Sequence, residues 1–488
     1  MSTRKEIGEL VQEGRHLIAG EWVPAQNGET IDVIDPSTGS VISSVPSGTA
    51  EDVDAAVAAA AAAFPAWRDL SASVRARLLH AWADLLDQHA SDIDRIESLE
   101  VGRPSWGPSN IGQIVRYYAG QADKITGMTL PTESTDVLAA VVREPYGVCA
   151  SITPWNVPAG LMTYSIAPAL AAGNTVVAKP AGEAPLACLF VADLAVKAGI
   201  PAGVVNVVTG RGSVAGNALA GHPGIDHMSF TGSPETGTAI MKACADNHTP
   251  LNLELGGKSP SIVFADADLE RAVPLIVQSI TFNSGQICGA GSRLLVERSI
   301  EKQVVAAVAQ HMASLSLGPA SSQPHMGPLI SAKQRDTVLS YIETGVREGA
   351  TVVQGGRAPE DAALADGFYV EPTLITGVQP TDVIAQEEIF GPVLAVLPFD
   401  SEDEAIRIAN DTEFGLAASV FTGDVSTAIR VSKRLVSGTV TVNAIGPFHG
   451  AIGSPHGGYR SSGFGRSHGI DAIDEYLQEK SIVINAVP

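Results

Sequence analysis

Hydrophobic and polar residues alternate over residues 17–46, in LIAGEWV, TIDVIDPSTG and VISSVP, with turn-forming residues between the runs. That pattern predicts short strands joined by tight turns. Thr49 then opens TAEDVDAAVAAAAAAF, with Asp52 three residues on, close to a capping box. Alanine is the best helix former, so the run reads as a packed helix rather than low complexity. Helical periodicity continues over roughly 73–100 and 110–127. From 148 to 264 the rhythm changes to short β-prone runs, VCASIT, NTVVAK, GVVNVV, IDHMSF and LNLEL. Apolar helical segments near 160–172, 184–199, 213–221 and 235–246 separate them. This alternation predicts a parallel sheet with crossover helices, a doubly wound α/β domain whose ligands bind at the carboxyl ends of the strands. A second mixed segment, 259–440, carries helices around 300–317 and 331–348, and the chain closes on an apolar strand, KSIVINAV.

Composition narrows the function. The 488 residues predict two or three domains. With 31 Lys+Arg against 53 Asp+Glu the formal charge is −22, which argues against nucleic-acid or anionic-membrane partners. At 45% hydrophobic and 17% charged the chain is too apolar for disorder. Four cysteines with no Cys-x-x-Cys pair make neither a disulfide framework nor a structural zinc site. No His-x-x-x-His pair occurs, and His449, His456 and His468 cluster only in sequence, so no metal is expected. The start, MSTRKEIGEL, has no apolar core for a signal peptide, and no apolar run approaches a membrane span. The expectation is a soluble cytoplasmic protein.

Several residues could carry chemistry. In FTGSPETG the chain turns on Gly232 and places Ser233 and Pro234 where a helix begins. Such an end binds phosphate, although the same pattern also describes an ordinary capped helix. TGRGSVAG has a partial glycine fingerprint in Gly210, Gly212 and Gly216. Cys288 lies in FNSGQICGAGSR, where Gly285, Gly289 and Gly291 would let a substrate approach, which favours a reactive thiol. Cys149, Cys188 and Cys244 read as inert core residues. Glu254 in LELGGKSP is a candidate base, or else an ion-paired carboxylate. Asn156, between the prolines of PWNVP, is either a fixed oxyanion donor or a turn asparagine. Lys179 ends the strand NTVVAK, where a ligand ribose or phosphate would lie.

TPWNVP, AGNTVVAKP, FTGSPETG, LELGGKSP, FNSGQICGAGSR, EEIFGPV and GGYRSSGFGR stand in the order and spacing of the NAD(P)-dependent aldehyde dehydrogenase superfamily. The chain resembles that family from about residue 17 to its end, including the 34-residue gap between Glu254 and Cys288. The resemblance implies an α/β, aldehyde dehydrogenase-like fold. A Rossmann-like cofactor domain would take 1–122 and 146–256, an α/β catalytic domain 257–457, and a small β bridging element 123–145 and 458–488. The bridging strand would build a homodimer or homotetramer. By the same likeness Cys288 attacks a small-molecule aldehyde, and the Asn156 side chain with the Cys288 backbone N–H stabilises the oxyanion. Glu254 activates the water that hydrolyses the thioester. Glu388 holds the nicotinamide ribose beside Phe390, and Lys179 the adenosine ribose. Ser233 and its helix meet the pyrophosphate, while Trp155, Gly212, Phe230 and Gly232 border the cofactor cleft.

The sequence departs from the family at three places. Gly182 stands where many NAD-preferring members have glutamate, with Glu183 one place later, so NAD is favoured over NADP but both are considered. His456 replaces an aromatic residue of the family's usual Pro-Phe-Gly-Gly, and Arg460 a common lysine, changes expected to touch the substrate entrance. Tyr117, Met162, Ile287 and Phe448 read either as an apolar tunnel for a medium-chain or aromatic aldehyde or as packing residues. Arg293 reads as scaffold, leaving no clamp for the second carboxylate of a semialdehyde. The alternatives are a CoA-acylating relative, a thiol-dependent ester hydrolase, and a descendant that has lost catalysis.

Overall fold

The computed structural model describes residues 3–446 and 452–486, so Phe448 and His449 lie outside the described residues. Its first sheet has eight strands, in the order Gly463–Phe464, Leu251–Glu254, His227–Thr231, Val148–Thr153, Thr175–Pro180, Val205–Val207, His16–Ile18 and Glu21–Val23. The five central strands are parallel, and antiparallel pairs close both ends. Val148–Thr153 and Thr175–Pro180 are buried at every residue, as a parallel strand covered on both faces must be. Helices Pro158–Ala172, Leu186–Lys197 and Pro234–Ala245 make crossovers. Strand order reverses between Val148–Thr153 and His227–Thr231, a switch point where such sheets open a crevice.

A second sheet runs Thr351–Gln354, Thr373–Thr376, Val393–Phe399, Arg293–Glu297, Pro260–Val263, Ala417–Phe421 and Thr439–Val442, parallel except for its first strand. The chain passes from the first sheet to the second between Glu254 and Pro260. A third sheet joins Leu477–Asn485, Val137–Pro145 and Met128–Leu130. Gly463–Phe464, within the stretch expected to bridge subunits, pairs instead with Leu253 and Glu254 in the first sheet. Among the described residues no helix is long and apolar enough to cross a membrane.

The helical expectations hold with corrections. The stretch 73–100 is two helices, Ala72–Gln88 and Ala90–Val101, meeting at His89, whose ring bonds Asp92 at 3.0 Å. The stretch 110–127 shortens to Ile111–Ala119 because Gly120 caps it. The helix expected at 213–221 is a π-turn, Gly212–Gly216, running into the short Asn217–Ala220.

Thr49 and Asp52 form the capping box of the Ala50–Arg68 helix, with Asp52 Oδ2 accepting from Thr49 N at 2.8 Å. The buried carboxylate also accepts from Gln26 N at 3.0 Å. Asp52→Ala should therefore lower unfolding stability by about 1–2 kcal/mol, from the lost cap and the lost bond to Gln26 N. Urea unfolding followed by circular dichroism tests this; an unchanged midpoint would show that the cap contributes nothing.

Candidate active site

The first sheet's parallel strands end at one level: Thr153 pairs Pro180, Thr231 pairs Glu254, and Ile152 pairs Phe230. The residues just beyond each strand are therefore delivered to one edge. Trp155 and Asn156 come after the first, Gly182 and Glu183 after the second, Gly232 and Ser233 after the third, and Glu254 ends the fourth.

The buried Asn156 side chain donates from Nδ2 to Gln286 O at 2.8 Å, and its own backbone oxygen accepts from Asn283 Nδ2 at 2.9 Å. One amide hydrogen is thus committed to the Cys288 loop and the second is left to donate. Asn156 is fixed rather than mobile.

Glu254 is buried, and neither carboxylate oxygen has a hydrogen-bond partner within bonding distance. Burial raises it to about 8, against the opposing pull of the Ser467 hydroxyl and the Arg466 charge. Cys288 is partly exposed, whereas Cys149, Cys188 and Cys244 are buried. Desolvation pushes the Cys288 thiol up to about 12, helped by the negative charges of Glu388 and Glu254. Glu388 is raised to about 7 by burial, opposed by the Gly257 N–H, which donates to its Oε1 at 3.0 Å, and by Lys258. The structure thus gathers Cys288, Glu254, Glu388 and the Asn156 loop into one desolvated space. A base held unionised near neutral pH beside a protonated thiol can, once ionised, accept a proton from it or from water.

Two glycines make this gathering possible. A Cβ at Gly256 would collide with the Glu388 carboxylate, and one at Gly257 would lie 2.5 Å from Cys288 O. Phe390 sits in the left-handed region at φ 55°, its ring edge-on to Trp155 with centroids 5.4 Å apart. Its loop is held by Gln334 Nε2, which donates to Ile389 O at 3.2 Å and Phe390 O at 3.0 Å.

The remaining candidates lie further along the same edge. Lys179 is buried, donates from Nζ to Pro180 O at 3.1 Å, and is lowered to about 8 by burial, with Glu183 opposing. Exposed Glu183, Gly182 and Gly212 line a cavity of about 640 Å³. Ser233 caps the Pro234–Ala245 helix, accepting from Thr236 N at 3.3 Å, and is itself partly exposed. The Phe230 ring is a core residue filling the space that a side chain at Gly232 would need. Lys179, Glu183 and Ser233 thus place a buried amine, a carboxylate and a helix N-terminus near the carboxyl ends of the parallel strands, the kinds of group a dinucleotide requires.

Sequence reasoning missed the residues that hold the machinery. Asn283 and Gln286 fix the Asn156 loop, and the Ser462 hydroxyl donates to Gly256 O at 2.7 Å. Asn283 and Gln286 lie in the same FNSGQICG run as Cys288, which was their available signal. Arg460 is corrected: it donates to Asn410 O and Thr412 O at 2.8 and 2.7 Å, scaffold bonds rather than a place at the entrance. Arg293 is scaffold as expected, bonded to the carbonyls of Lys258, Ile408 and Ala409. Met162 is buried core and Tyr117 packs against that core, while Ile287 faces a small cavity beside Cys288. His456 and His468, which the sequence shows only as near neighbours along the chain, face each other with ring centroids 5.0 Å apart. Among the described residues no group of three or more His, Cys, Asp or Glu is placed to hold a metal.

Comparison with known proteins agrees with this geometry. A model of the aldehyde dehydrogenase family matches residues 22–482. The chain is 43% identical to a phenylacetaldehyde dehydrogenase of Pseudomonas fluorescens, covering 96% of this chain and 95% of that one. It is 41% identical to a betaine aldehyde dehydrogenase of Bacillus subtilis, covering 97% of each. A crystal structure of betaine aldehyde dehydrogenase from Staphylococcus aureus with NAD+ superposes with a TM-score of 0.96 at 39% identity, over 100% of this chain and 98% of that one.

The thiol environment is testable without any substrate. Iodoacetamide should modify Cys288 in the folded protein and spare the other three cysteines. Its rate should rise about tenfold per pH unit between about pH 7 and 10, because only the thiolate reacts and the thiol lies above that range. Glu388→Gln should speed the reaction several-fold at alkaline pH, since removing a neighbouring negative charge favours the thiolate. Peptide mass spectrometry reads both; slower modification in Glu388→Gln would contradict the electrostatic account.

Proposed function

This chain belongs to the aldehyde dehydrogenase family and is an enzyme that oxidises aldehydes, and we propose that it does so with NAD, through a thioester on Cys288 that water hydrolyses to a carboxylic acid. The observation that carries this reading is the convergence of Cys288, Glu254 and Asn156 by the carboxyl ends of the parallel strands. Cys288 loses its proton and attacks the carbonyl carbon, giving a thiohemiacetal whose oxyanion meets the free Asn156 amide hydrogen and the Cys288 backbone N–H. Bound NAD supplies the hydride acceptor that converts this adduct to the thioester. Glu254, ionised, takes a proton from the water that attacks the thioester, and Cys288 leaves as thiolate.

Residue roles in the cleft rest on placement. Glu388 would hold the nicotinamide ribose with the Trp155 and Phe390 rings alongside. Ser233, with the Pro234–Ala245 helix end, would meet the pyrophosphate, and Gly232 and Phe230 shape the turn before it. Lys179, Glu183 and Gly212 would take the adenosine ribose. The wall there carries Asp32 and Glu183 against Arg211 and Lys333, and the preference for NAD is supported by similar solved structures that hold NAD+. The relatives act on phenylacetaldehyde and on betaine aldehyde, by their names. An aromatic or medium-chain aldehyde is the reading that apolar Phe282, Ile287 and Ile445 support, in the small cavity lined by the chain neighbours of Cys288. A buried, unpartnered Glu254 favours water over CoA as the acyl acceptor.

We infer a functional division at 1–122 and 146–256 for cofactor, 257–457 for catalysis, and 123–145 with 458–488 for assembly. The third sheet exposes Met128, Leu130, Leu138, Ile482, Val483 and Ile484, an apolar surface on an open sheet that a second copy would cover. Light scattering should give a dimer or tetramer, and Val483→Lys with Ile484→Lys should shift it toward monomer; a monomeric parent protein would sink this assignment.

Absorbance of reduced nicotinamide tests the reaction. Cys288→Ala should abolish it. Glu254→Gln should keep a rapid single-turnover burst and lose about a hundredfold or more in steady state, with the acyl-enzyme visible by mass spectrometry. A carboxylate is a base only when ionised, so the wild-type steady-state rate should climb with pH through about 8, where Glu254 titrates. CoA should not accelerate it. A Glu254→Gln enzyme with an undiminished steady-state rate would remove Glu254 from the mechanism.

A further inference from the structure

A cavity of about 540 Å³ lies above the candidate site, within the size range of small-molecule pockets. It is lined by Val157, the residue after Asn156, and it shares Phe282 and Gly446 with the small cavity lined by Ile287 and Gly289, the two neighbours of Cys288 in the chain. Five aromatic rings stand in its walls, Trp106, Tyr164, Phe282, His456 and His468. Trp106 stacks on Phe282 with centroids 4.3 Å apart at 20°. Tyr164 stacks on His468 at 3.7 Å and 25°, and His456 continues that column at 5.0 Å. Such walls suit a planar aromatic guest.

One member of the column is unusual. His456 is 8% exposed, lines this cavity, and has an Nδ1 buried with no hydrogen-bond partner. Burial and the nearby Arg466 charge hold its imidazole neutral, lowered to about 4. A neutral imidazole offers both a donor and an acceptor, and half a turn of the ring puts Nδ1 where Cδ2 stood and Nε2 where Cε1 stood. A buried polar group left unpaired is costly, so a guest that pairs with it gains over one that does not.

We propose that His456 is a specificity-determining residue, and that its imidazole hydrogen-bonds a hydroxyl on the ring of an aromatic aldehyde, making hydroxylated aryl aldehydes the preferred substrate class. This rests on the reading of Cys288 as the nucleophile that the cavity serves. A ring carboxylate is disfavoured in the same place. Arg103 is already bonded by both Asp94 and Glu97, at 2.7 Å each, and that wall carries two negative charges against one positive.

The test compares kcat/KM for 3- and 4-hydroxybenzaldehyde with that for benzaldehyde, in the wild-type enzyme and in His456→Phe and His456→Gln. At least one hydroxylated isomer should be favoured about tenfold, the worth of one good hydrogen bond. The ratio should fall to about one in His456→Phe and be partly restored in His456→Gln, which keeps a donor and an acceptor. A wild-type ratio near one, or a ratio that survives in His456→Phe, would overturn the proposal. Calorimetric binding of 4-hydroxybenzyl alcohol against benzyl alcohol, which cannot react at the thiol, gives a reading independent of turnover and of variant folding. Should the enzyme oxidise none of the aldehydes, the activity reading fails. The calorimetry then still decides the pocket: tighter binding of the phenol supports it, and equal binding overturns it.

Discussion

Between Glu254 and Pro260 the backbone leaves one parallel sheet and enters another, and the site depends on how closely that crossing approaches its neighbours. At Gly256 any side chain would strike the Glu388 carboxylate, and at Gly257 it would meet Cys288 O at 2.5 Å and Leu416. The same crossing supplies the N–H that binds Glu388 and the carbonyl that accepts from Ser462. Two adjacent glycines therefore bring together residues 34 and 134 positions downstream of Glu254, which no local motif would unite. The close approach fixes distances that catalysis needs within a few tenths of an ångström.

That proximity has an electrostatic cost. Three groups that can become negative share a space with little water: burial raises all three, and Glu388 and Glu254 push the Cys288 thiol up further. Of the two acids only Glu254 has both carboxylate oxygens buried without a hydrogen-bond partner, a cost that a fold tolerates where function requires it. In the resting cleft the thiol is protonated and harmless. A positive charge brought beside it would lower it, and ionisation of Glu254 would provide a destination for its proton. Reactivity is thus tied to occupancy of the cleft, which protects a thiol that is partly exposed.

Much of this is legible in the sequence because it is local. The parallel strands at 148–180 and 227–254 appear within a residue or two of their predicted places, since strand, turn and helix signals alternate there at short range. The Thr49–Asp52 box is readable for the same reason. Failures come where local signals stop or long-range contacts decide. The helix predicted to 127 ends at Gly120, and nothing near Phe464 announces its pairing with Leu253. Asn283, Gln286 and Gln334 work by bonding backbone groups, an action that exists only once distant segments meet. Met162 defeats a sequence reading because an apolar residue beside a motif looks the same whether it faces a tunnel or the core.

The chemistry and the choice of substrate reside in different parts of the chain, and that separates what kinship can establish from what it cannot. Cys288, Glu254 and Asn156 are placed by strand ends and the glycine crossing, in a sequence 43% identical to a phenylacetaldehyde dehydrogenase and 41% identical to a betaine aldehyde dehydrogenase. Two relatives so alike in degree and so different in substrate show that overall similarity cannot choose between them. The residues that can choose lie on connections: Trp106 before the Ile111–Ala119 helix, Phe282 at the end of Leu269–Thr281, and His456 and His468 in the loops before the last helix. Loops carry few backbone obligations, so their side chains can change while the strand ends stay fixed. The histidine column is the clearest instance: it changes no strand or catalytic group, yet it sets an unpaired hydrogen-bonding ring in the wall of the pocket that the thiol serves.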